Sequence, residues 1–394
     1  MKLTEGRPED VGLRPDRIEL VRRRLASWVE EGYSPSIIAL VARRGRIVLH
    51  EAFGVLGPGV DSPAFRSDSI FPVSSITKPI TATSVMMLVE DGRLGLNRPL
   101  VEYIPEVRGR GTEEICVHHL LTHTSGYNAD EINELTAKRM EEGYEPDEVE
   151  PTQDPIVQIH LDIGYEASLW KPPGEEMNYC NYNYLLLGEI VRRISGQPLE
   201  TFSQERIFGP LGMRDSWYSV PEAVRSRIVR FPEDSAYTRF LAPLHANSRG
   251  LEEIPWAPGG VFSTVRDLAV FGQTFLNRGR YGDARILGPR TVAAMTRNHI
   301  PGIAARRGNE IHKEASYGLG WSVQSNEKWT YDASPLLHVG AYQHSGIGAS
   351  SLMVDPFDEL VMVYFEVTMK LTEDLWFVHN TEKFQNVICS AIED

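Results

Sequence analysis

Strand-like segments lie at both ends of this 394-residue chain, and a long helix-rich region separates them. Near the N-terminus, the β-rich runs 37–41 and 47–53 flank a short turn at 43–46, which is typical of a β-hairpin. Near the C-terminus, residues 350–354 and 359–365 form a second such pair. Because consecutive strands joined by short turns pair antiparallel, the sequence predicts one mainly antiparallel sheet built from both termini.

Helical periodicity surrounds these strands. An apolar stripe predicts a helix from Pro15 to Glu31, a second helix covers 183–195, and a third follows Thr264. We therefore expect an α+β fold, a mainly antiparallel sheet flanked by helices, with a second, mostly helical lobe. In this interpretation residues 1–74 and 250–394 form an α/β lobe, residues 75–249 form the helical lobe, and the active site lies in the cleft between them.

Residues 129–150 are strongly acidic, with nine Asp or Glu side chains against Lys138 and Arg139. We interpret this segment as loop-like, solvated surface. A lid over the cleft is the alternative.

Composition narrows the class of protein. With 42% hydrophobic and 24% charged residues, the chain is typical of soluble globular proteins. A net charge of −14 and the lack of a basic stripe argue against a nucleic-acid partner. No run of apolar residues is long enough to predict a membrane span, and the N-terminal segment does not resemble a signal peptide, so we expect a cytoplasmic protein. Three widely spaced cysteines, an odd number, argue against a disulfide framework.

Ser75 and Lys78 stand three residues apart at the start of an apolar helix that ends near Gly92. This spacing places both side chains on one helix face, so the amine can activate the hydroxyl. Pro79 is tolerated only in a first helical turn, which puts Ser75 at or just before the helix N-terminus, where developing negative charge is favoured. The same serine–lysine spacing recurs at two places that open no buried helix: Ser168/Lys171 and Ser325/Lys328.

Two further segments carry chemistry-bearing residues. Tyr179 and Asn181 alternate just before a helix, so they either point the same way from an extended segment or serve as aromatic packing and a helix cap. His344-Ser345-Gly346 precedes the 350–354 strand. Its glycine permits close backbone approach to a ligand, and the alternative is a turn with a surface histidine.

In this order, the three segments resemble the motifs of the serine β-lactamase and penicillin-binding-protein superfamily, most closely its class C-like esterase branch. The resemblance runs from about residue 14 to 370 and implies the β-lactamase/transpeptidase-like fold. It is supported by four further stretches: 91–96, 119–126, 207–213 and 258–264.

The resemblance assigns roles to single residues. Ser75 is the implied nucleophile and Lys78 its partner, and the backbone N–H groups of Ser75 and Ile347 form the implied oxyanion hole. Either a neutral Lys78 or an ionised Tyr179 is the general base, and coupling between the two leaves the proton unassigned. The residues implied to contact the substrate are Asn181, His344 and Gly346.

Two positions depart from the superfamily pattern. Cys180 stands where serine or alanine is common, and we interpret it as a silent small residue. His344 stands where penicillin-recognising members have a lysine that meets a substrate carboxylate. A neutral histidine offers a weaker counter-charge, which puts carboxylate recognition in doubt.

No cofactor or metal is expected. His119 and His123 form an i, i+4 pair if their segment is helical, but no carboxylate or third histidine accompanies them at useful spacing. The resemblance makes this segment structural. A G-x-S-x-G elbow and nucleotide-binding glycine motifs are absent from the sequence.

The sequence thus predicts a serine hydrolase that cleaves carboxylic esters through an acyl-enzyme on Ser75. The expected partner is a small-molecule ester or amide, with no nucleic acid or membrane. His344, the missing export signal and the acidic composition favour an esterase. The alternatives are a β-lactamase, a D-amino-acid peptidase or amidase, a transacylase, and a non-catalytic scaffold, against which the intact Ser75, Lys78 and Tyr179 count.

Overall fold

The structure is a computed structural model that describes residues 1–393 except 58, 60, 234, 236, 239–249, 308–309, 327–332 and 368–376. Its α-helices are α1 (Pro15–Glu30), α2 (Thr77–Glu90), α3 (Val117–Leu121), α4 (Ala129–Glu141), α5 (Pro155–Tyr165), α6 (Asn181–Ser195), α7 (Leu199–Ser203), α8 (Gly209–Leu211), α9 (Val265–Leu276), α10 (Pro289–Met295) and α11 (Phe377–Cys389). A π-helical turn, Gln204–Phe208, joins α7 to α8.

The strands of the described residues belong to one large sheet and three small ones. The large sheet contains β1 (Thr4–Glu5), β2 (Ser36–Arg43), β3 (Arg46–Gly54), β11 (Ser322–Val323), β12 (Tyr342–Gly346), β13 (Ser350–Asp355) and β14 (Leu360–Glu366). The small sheets contain β4 (Phe71–Pro72) with β6 (Phe262–Ser263), β5 (Glu176–Asn178) with β9 (Ala304–Arg307) and β10 (Glu310–His312), and β7 (Arg280–Tyr281) with β8 (Ala284–Arg285).

The large sheet has the order β1-β3-β2-β14-β13-β12-β11, and its pairs are antiparallel except the parallel pair β1/β3. The N-terminal hairpin β2/β3 joins the C-terminal strands through β2 and β14, where Leu40 is opposite Val363. The predicted α+β fold with a mainly antiparallel sheet is therefore confirmed. The boundaries proposed for the two lobes remain a prediction.

Helices cover both faces of this sheet. Along β2, side chains alternate between the faces, because successive residues of a strand point to opposite sides. Ile37, Ala39 and Val41 belong to the buried cluster shared with α1 and α11. Ile38 and Leu40 belong to the other cluster, which continues through α9, α2 and α6. Helix α2 is buried from Thr77 to Leu88, because neighbouring elements surround it.

The interpretation of residues 129–150 as loop-like is wrong for the first part of that segment. Ala129–Glu141 is the helix α4, because Asn128 caps its N-terminus by accepting hydrogen bonds from two backbone N–H groups. Acidic residues in its first turn and basic residues in its last turn also complement the helix dipole. A lid role for this segment remains a prediction.

The alternative interpretation of the third motif, a turn with a surface histidine, is wrong. His344, Ser345 and Gly346 belong to β12, and the turn is formed by the next three residues, 347–349.

Among the helices that the structure describes, none combines the length and apolar character needed to cross a membrane.

Candidate active site

The predicted nucleophile lies in a tight, strained connection. β4 leads into a 3₁₀ turn, Ser74–Ile76, which runs directly into α2. Ser74 has a φ of 50°, in the left-handed region that non-glycine residues rarely occupy. Its hydroxyl donates a 3.0 Å hydrogen bond to the carbonyl of Ile347, which ties this turn to the end of β12. The strained turn and this bond together fix the partly exposed Ser75 beside the sheet.

The amine of Lys78 is fully buried and makes three short contacts. Its Nζ lies 3.0 Å from Ser75 Oγ, 2.8 Å from Asn181 Oδ1 and 2.9 Å from the backbone carbonyl of Pro258. These contacts join α2, the start of α6 and the loop before β6 at one point.

Burial holds the pKa of Lys78 well below the usual value of a lysine. A neutral amine has two N–H donors and one lone pair. The amide oxygen of Asn181 and the carbonyl of Pro258 only accept hydrogen bonds, so they take both N–H groups. In this neutral form the lone pair is left to face Ser75 Oγ, 3.0 Å away. The arrangement would let the amine accept the serine proton, and the role of Lys78 as the base remains a prediction.

The second motif enters the site at the start of α6. Asn181 is the first residue of the helix and its side chain binds Lys78, so the interpretation of Asn181 as a helix cap is wrong. Cys180 occupies the cap position and is buried. Burial raises the pKa of its thiol to about 11, which keeps it protonated and a poor nucleophile at neutral pH.

Tyr179 is 38% exposed, although Lys78 and the histidine rings next to it are buried. Its ring centroid lies 4.7 Å from Lys78 Nζ and 4.3 Å from the ring of His123. The ring of His344 is 6.2 Å away on a third side. The structure thus brings together Ser75, Lys78, Tyr179, Asn181 and His344, the side chains that the sequence predicts for the site.

His123 is a member of this cluster that the sequence analysis assigned a structural role. Helix α3 ends at Leu121, so His119 and His123 do not share a helix, and His123 has a φ of 57°. Its Nδ1 accepts a 3.2 Å hydrogen bond from the backbone N–H of Cys180. Burial holds the pKa of His123 well below its usual value. The ring of His123 is therefore neutral, and it packs against the ring of Tyr179.

The third motif places its histidine in a closed environment. His344 is only 5% exposed. Its Nε2 lies 3.0 Å from the hydroxyl of Tyr317, and its Nδ1 lies 2.9 Å from the carbonyl of Ser345. Burial is the main cause that lowers the pKa of His344 to about 3. Tyr317 was missed because no motif includes it, and only the fold brings it next to His344.

Close packing joins the end of β12 to the serine turn. A Cβ at Gly346 would lie 2.4 Å from Ser350 Oγ and 2.6 Å from the carbonyl of Val73, so no side chain fits there. This approach sets Ile347 beside the turn that carries Ser75. The roles of the Ser75 and Ile347 N–H groups as an oxyanion hole remain a prediction.

Among the described residues, the group of side chains with metal-ligand spacing is His338, Asp355 and Asp358. His338 Nδ1 lies 3.0 Å from Asp355 Oδ2, and this hydrogen bond raises the pKa of the imidazole. Ion pairing between the histidine and the two carboxylates accounts for their proximity.

Of the other serine–lysine pairs, Lys171 forms an ion pair with Glu176, and Lys328 lies outside the described residues.

The chain is similar to known proteins along most of its length. A family model described as Beta-lactamase matches residues 21–374. A curated relative from Escherichia coli strain K12, named putative D-alanyl-D-alanine carboxypeptidase, is 25% identical over 395 aligned residues, which cover 92% of this chain and 84% of the relative.

Several solved structures share the fold. A penicillin-binding-protein homologue from Caulobacter crescentus has a TM-score of 0.73 at 21% identity, covering 95% of this chain and 99% of its own. A family VIII carboxylesterase has a TM-score of 0.72 at 20% identity, covering 96% and 99%. EstCE1, described as a hydrolase with promiscuous acyltransferase activity, has a TM-score of 0.72 at 19% identity, covering 95% and 99%.

Proposed function

This chain belongs to the β-lactamase family and is a serine hydrolase of the superfamily that also contains the penicillin-binding proteins, and on that premise we propose that it is a carboxylesterase acylated on Ser75. The observation that carries this proposal is the contact between the buried amine of Lys78 and the hydroxyl of Ser75, 3.0 Å apart. A serine hydroxyl needs an adjacent base to attack an ester, and Lys78 is the base within hydrogen-bonding distance.

In the first step Ser75 Oγ forms a bond to the ester carbonyl carbon while its proton passes to Lys78 Nζ. The carbonyl oxygen becomes an oxyanion, which the backbone N–H groups of Ser75 and Ile347 stabilise. The close packing of Gly346 against Val73 supports this role, because it brings the end of β12 next to the turn that carries Ser75.

In the second step the tetrahedral intermediate collapses and the bond to the alkoxy oxygen breaks. The alkoxide must be protonated as it leaves, and the phenol of Tyr179, exposed to the cleft above Lys78, is the proposed donor. Lys78 returns the proton to Tyr179. Water then repeats the sequence on the acyl-enzyme and releases the carboxylic acid.

The neutral state of His344 supports an ester rather than a carboxylate-bearing substrate. Both of its ring nitrogens contact groups of the protein, and its pKa of about 3 leaves it uncharged at neutral pH. A carboxylate bound at this position would find no positive charge on His344 and would lose its hydration.

The alternative is a D-alanyl-D-alanine carboxypeptidase, favoured by the name of the curated relatives. Release of D-alanine from a peptide ending in D-Ala-D-Ala, measured beside hydrolysis of p-nitrophenyl butyrate, separates the two. We expect turnover of the ester and little release of D-alanine, and the reverse preference would replace the esterase by the carboxypeptidase.

The nucleophile is tested with a fluorophosphonate probe. Ser75→Ala should lose both labelling and ester turnover while the far-UV spectrum is unchanged. Ser168→Ala, a serine with the same spacing to a lysine, is the matched control and should react like wild type. Labelling that persists in Ser75→Ala would contradict the assignment.

A further inference from the structure

A chain of two hydrogen bonds leads from Tyr317 to the strand end that carries Ile347. The phenol of Tyr317 lies 3.0 Å from His344 Nε2, and His344 Nδ1 lies 2.9 Å from the carbonyl of its neighbour Ser345. The peptide that contains this carbonyl continues into Gly346 and Ile347. Tyr317 is itself 1% exposed, so it is held in place by packing.

The direction of each proton follows from the partners. A carbonyl only accepts, so Nδ1 of His344 carries the hydrogen that binds Ser345. Tyr317 also hydrogen-bonds the hydroxyl of Tyr184. With Nδ1 protonated, the neutral ring has its lone pair on Nε2, so we assign the single phenol hydrogen of Tyr317 to His344 and leave the phenol oxygen to accept from Tyr184. Loss of this donor would leave a buried nitrogen unpaired and would permit the other tautomer, which cannot donate to Ser345.

We propose that Tyr317 is a positioning residue for the oxyanion-binding strand end, acting through His344 by fixing the tautomer that holds the Ser345 carbonyl. This inference rests on the proposed acyl-enzyme chemistry at Ser75. In this role Tyr317 touches neither substrate nor Ser75. It keeps the peptide before Gly346 in the orientation from which the N–H of Ile347 faces the serine.

The surroundings of the ring pair are consistent with a rigid support. Tyr317 also packs edge-on against His123, with ring centroids 5.3 Å apart, and His123 in turn contacts Tyr179. The buried Tyr317 therefore contacts both His123 and His344. These are the two histidines next to the exposed Tyr179.

Tyr317→Phe removes only the hydroxyl. We expect kcat for p-nitrophenyl butyrate to fall about tenfold, the factor that one hydrogen bond supplies, with KM nearly unchanged, because the oxyanion forms only after binding. Tyr364→Phe is the matched control. It also removes one buried tyrosine hydroxyl, bonded to Glu366 in the cluster on the other face of the sheet, and should leave kcat unchanged.

A double-mutant cycle tests whether Tyr317 acts through His344. The amide of His344→Asn reproduces the Nδ1 donor but cannot reach Tyr317. Tyr317→Phe should therefore cost about tenfold in the wild-type background and nothing in the His344→Asn background. Equal losses in both backgrounds, or an unchanged kcat in Tyr317→Phe, would overturn the proposal.

Nitrogen NMR of ¹⁵N-histidine-labelled protein gives a readout that does not require turnover. The signals of His344, assigned by their loss in His344→Asn, should show a proton on Nδ1 in wild type and a changed tautomer balance in Tyr317→Phe. An Nε2-protonated ring in wild type would overturn the inference. If wild type neither hydrolyses esters nor reacts with the fluorophosphonate, the proposed function fails. The tautomer signal then still tests whether Tyr317 fixes the protonation of His344.

Discussion

At the scale of single residues, the buried amine of Lys78 determines how activity should depend on pH. Only the deprotonated amine accepts the serine proton, and burial lowers its pKa well below the ordinary value of 10.5. We therefore expect kcat/KM to rise with pH through this lowered pKa and to reach its plateau before the usual range of a lysine. A pH profile of p-nitrophenyl butyrate hydrolysis measures the acid limb.

The variants Lys78→Arg and Lys171→Arg test whether Lys78 is the general base. An arginine at 78 stays protonated, so kcat should fall by roughly 10²–10⁴-fold, the usual contribution of a general base. Lys171→Arg, at the other described serine–lysine pair, should keep both the rate and the profile. An acid limb that survives in Lys78→Arg would transfer the role of the base to another group.

The role proposed for Tyr179 predicts a dependence on the leaving group. Alkoxides need a proton to depart, whereas p-nitrophenolate is stable without one, so the phenol matters most for alkyl esters. In Tyr179→Phe, we expect kcat/KM, which reports acylation, to fall by about 10²–10⁴-fold for ethyl butyrate and much less for p-nitrophenyl butyrate. Equal losses on both esters would indicate that Tyr179 acts in the attack step.

Which site residues the sequence predicts depends on how far apart they lie in the chain. Ser75 and Lys78 were predictable because helix geometry alone brings residues three apart together. The neighbours of His344 were not, since Tyr317 lies 27 residues away and reaches it only through tertiary packing. His123 was visible as part of a motif, but its contact with Tyr179 depends on the backbone turn after α3.

At the scale of elements, the regular apolar periodicity of the sequence predicted the bounds of a helix and of a strand nearly correctly. The predicted helix Pro15–Glu31 is observed as Pro15–Glu30, and the strand predicted at 350–354 is observed as Ser350–Asp355. The elements that the sequence did not predict are those with a weak apolar pattern. β12 carries Gln343, His344 and Ser345 and was not predicted as a strand, because its burial comes from the neighbouring turn and strands and not from apolar composition.

The contact between β12 and the serine turn yields a prediction at this scale. In Gly346→Ala the new Cβ would lie 2.6 Å from the Val73 carbonyl, so the strand must move away from the turn. We expect kcat to fall by about 10²-fold, as for a misplacement of about 1 Å, and unfolding to require about 1–3 kcal/mol less free energy. Kinetics and urea denaturation of the purified variant measure the two effects.

Gly259→Ala is the control for this substitution. A Cβ at Gly259 would lie 3.6 Å from the backbone of Ser74, an ordinary contact beside the same turn. This variant should therefore retain its stability. If Gly346→Ala is as active as wild type, the close approach of β12 is not needed for catalysis.

At the scale of the whole molecule, the two predicted lobes share one buried cluster. That cluster includes Ile38 of the N-terminal hairpin, Leu88 of α2, Leu186 of α6 and Val361 of β14. Side chains from both sides of the proposed boundaries therefore pack together beneath the active site. Because the cluster contains the start of α2 and the strands that bind it, the geometry around Ser75 depends on both lobes.

This shared cluster predicts cooperative unfolding, although the chain is larger than the domains for which two-state behaviour is the rule. Unfolding one lobe alone would expose the apolar residues of the other, which opposes a stable intermediate. In urea, circular dichroism at 222 nm and tryptophan fluorescence should give one coincident transition, and esterase activity should be lost in the same range. Trp28 and Trp321 report on different sides of the central sheet, since Trp28 packs in the cluster with α1 and Trp321 in the cluster with α9. Two separated transitions would contradict the prediction and would indicate lobes with independent cores.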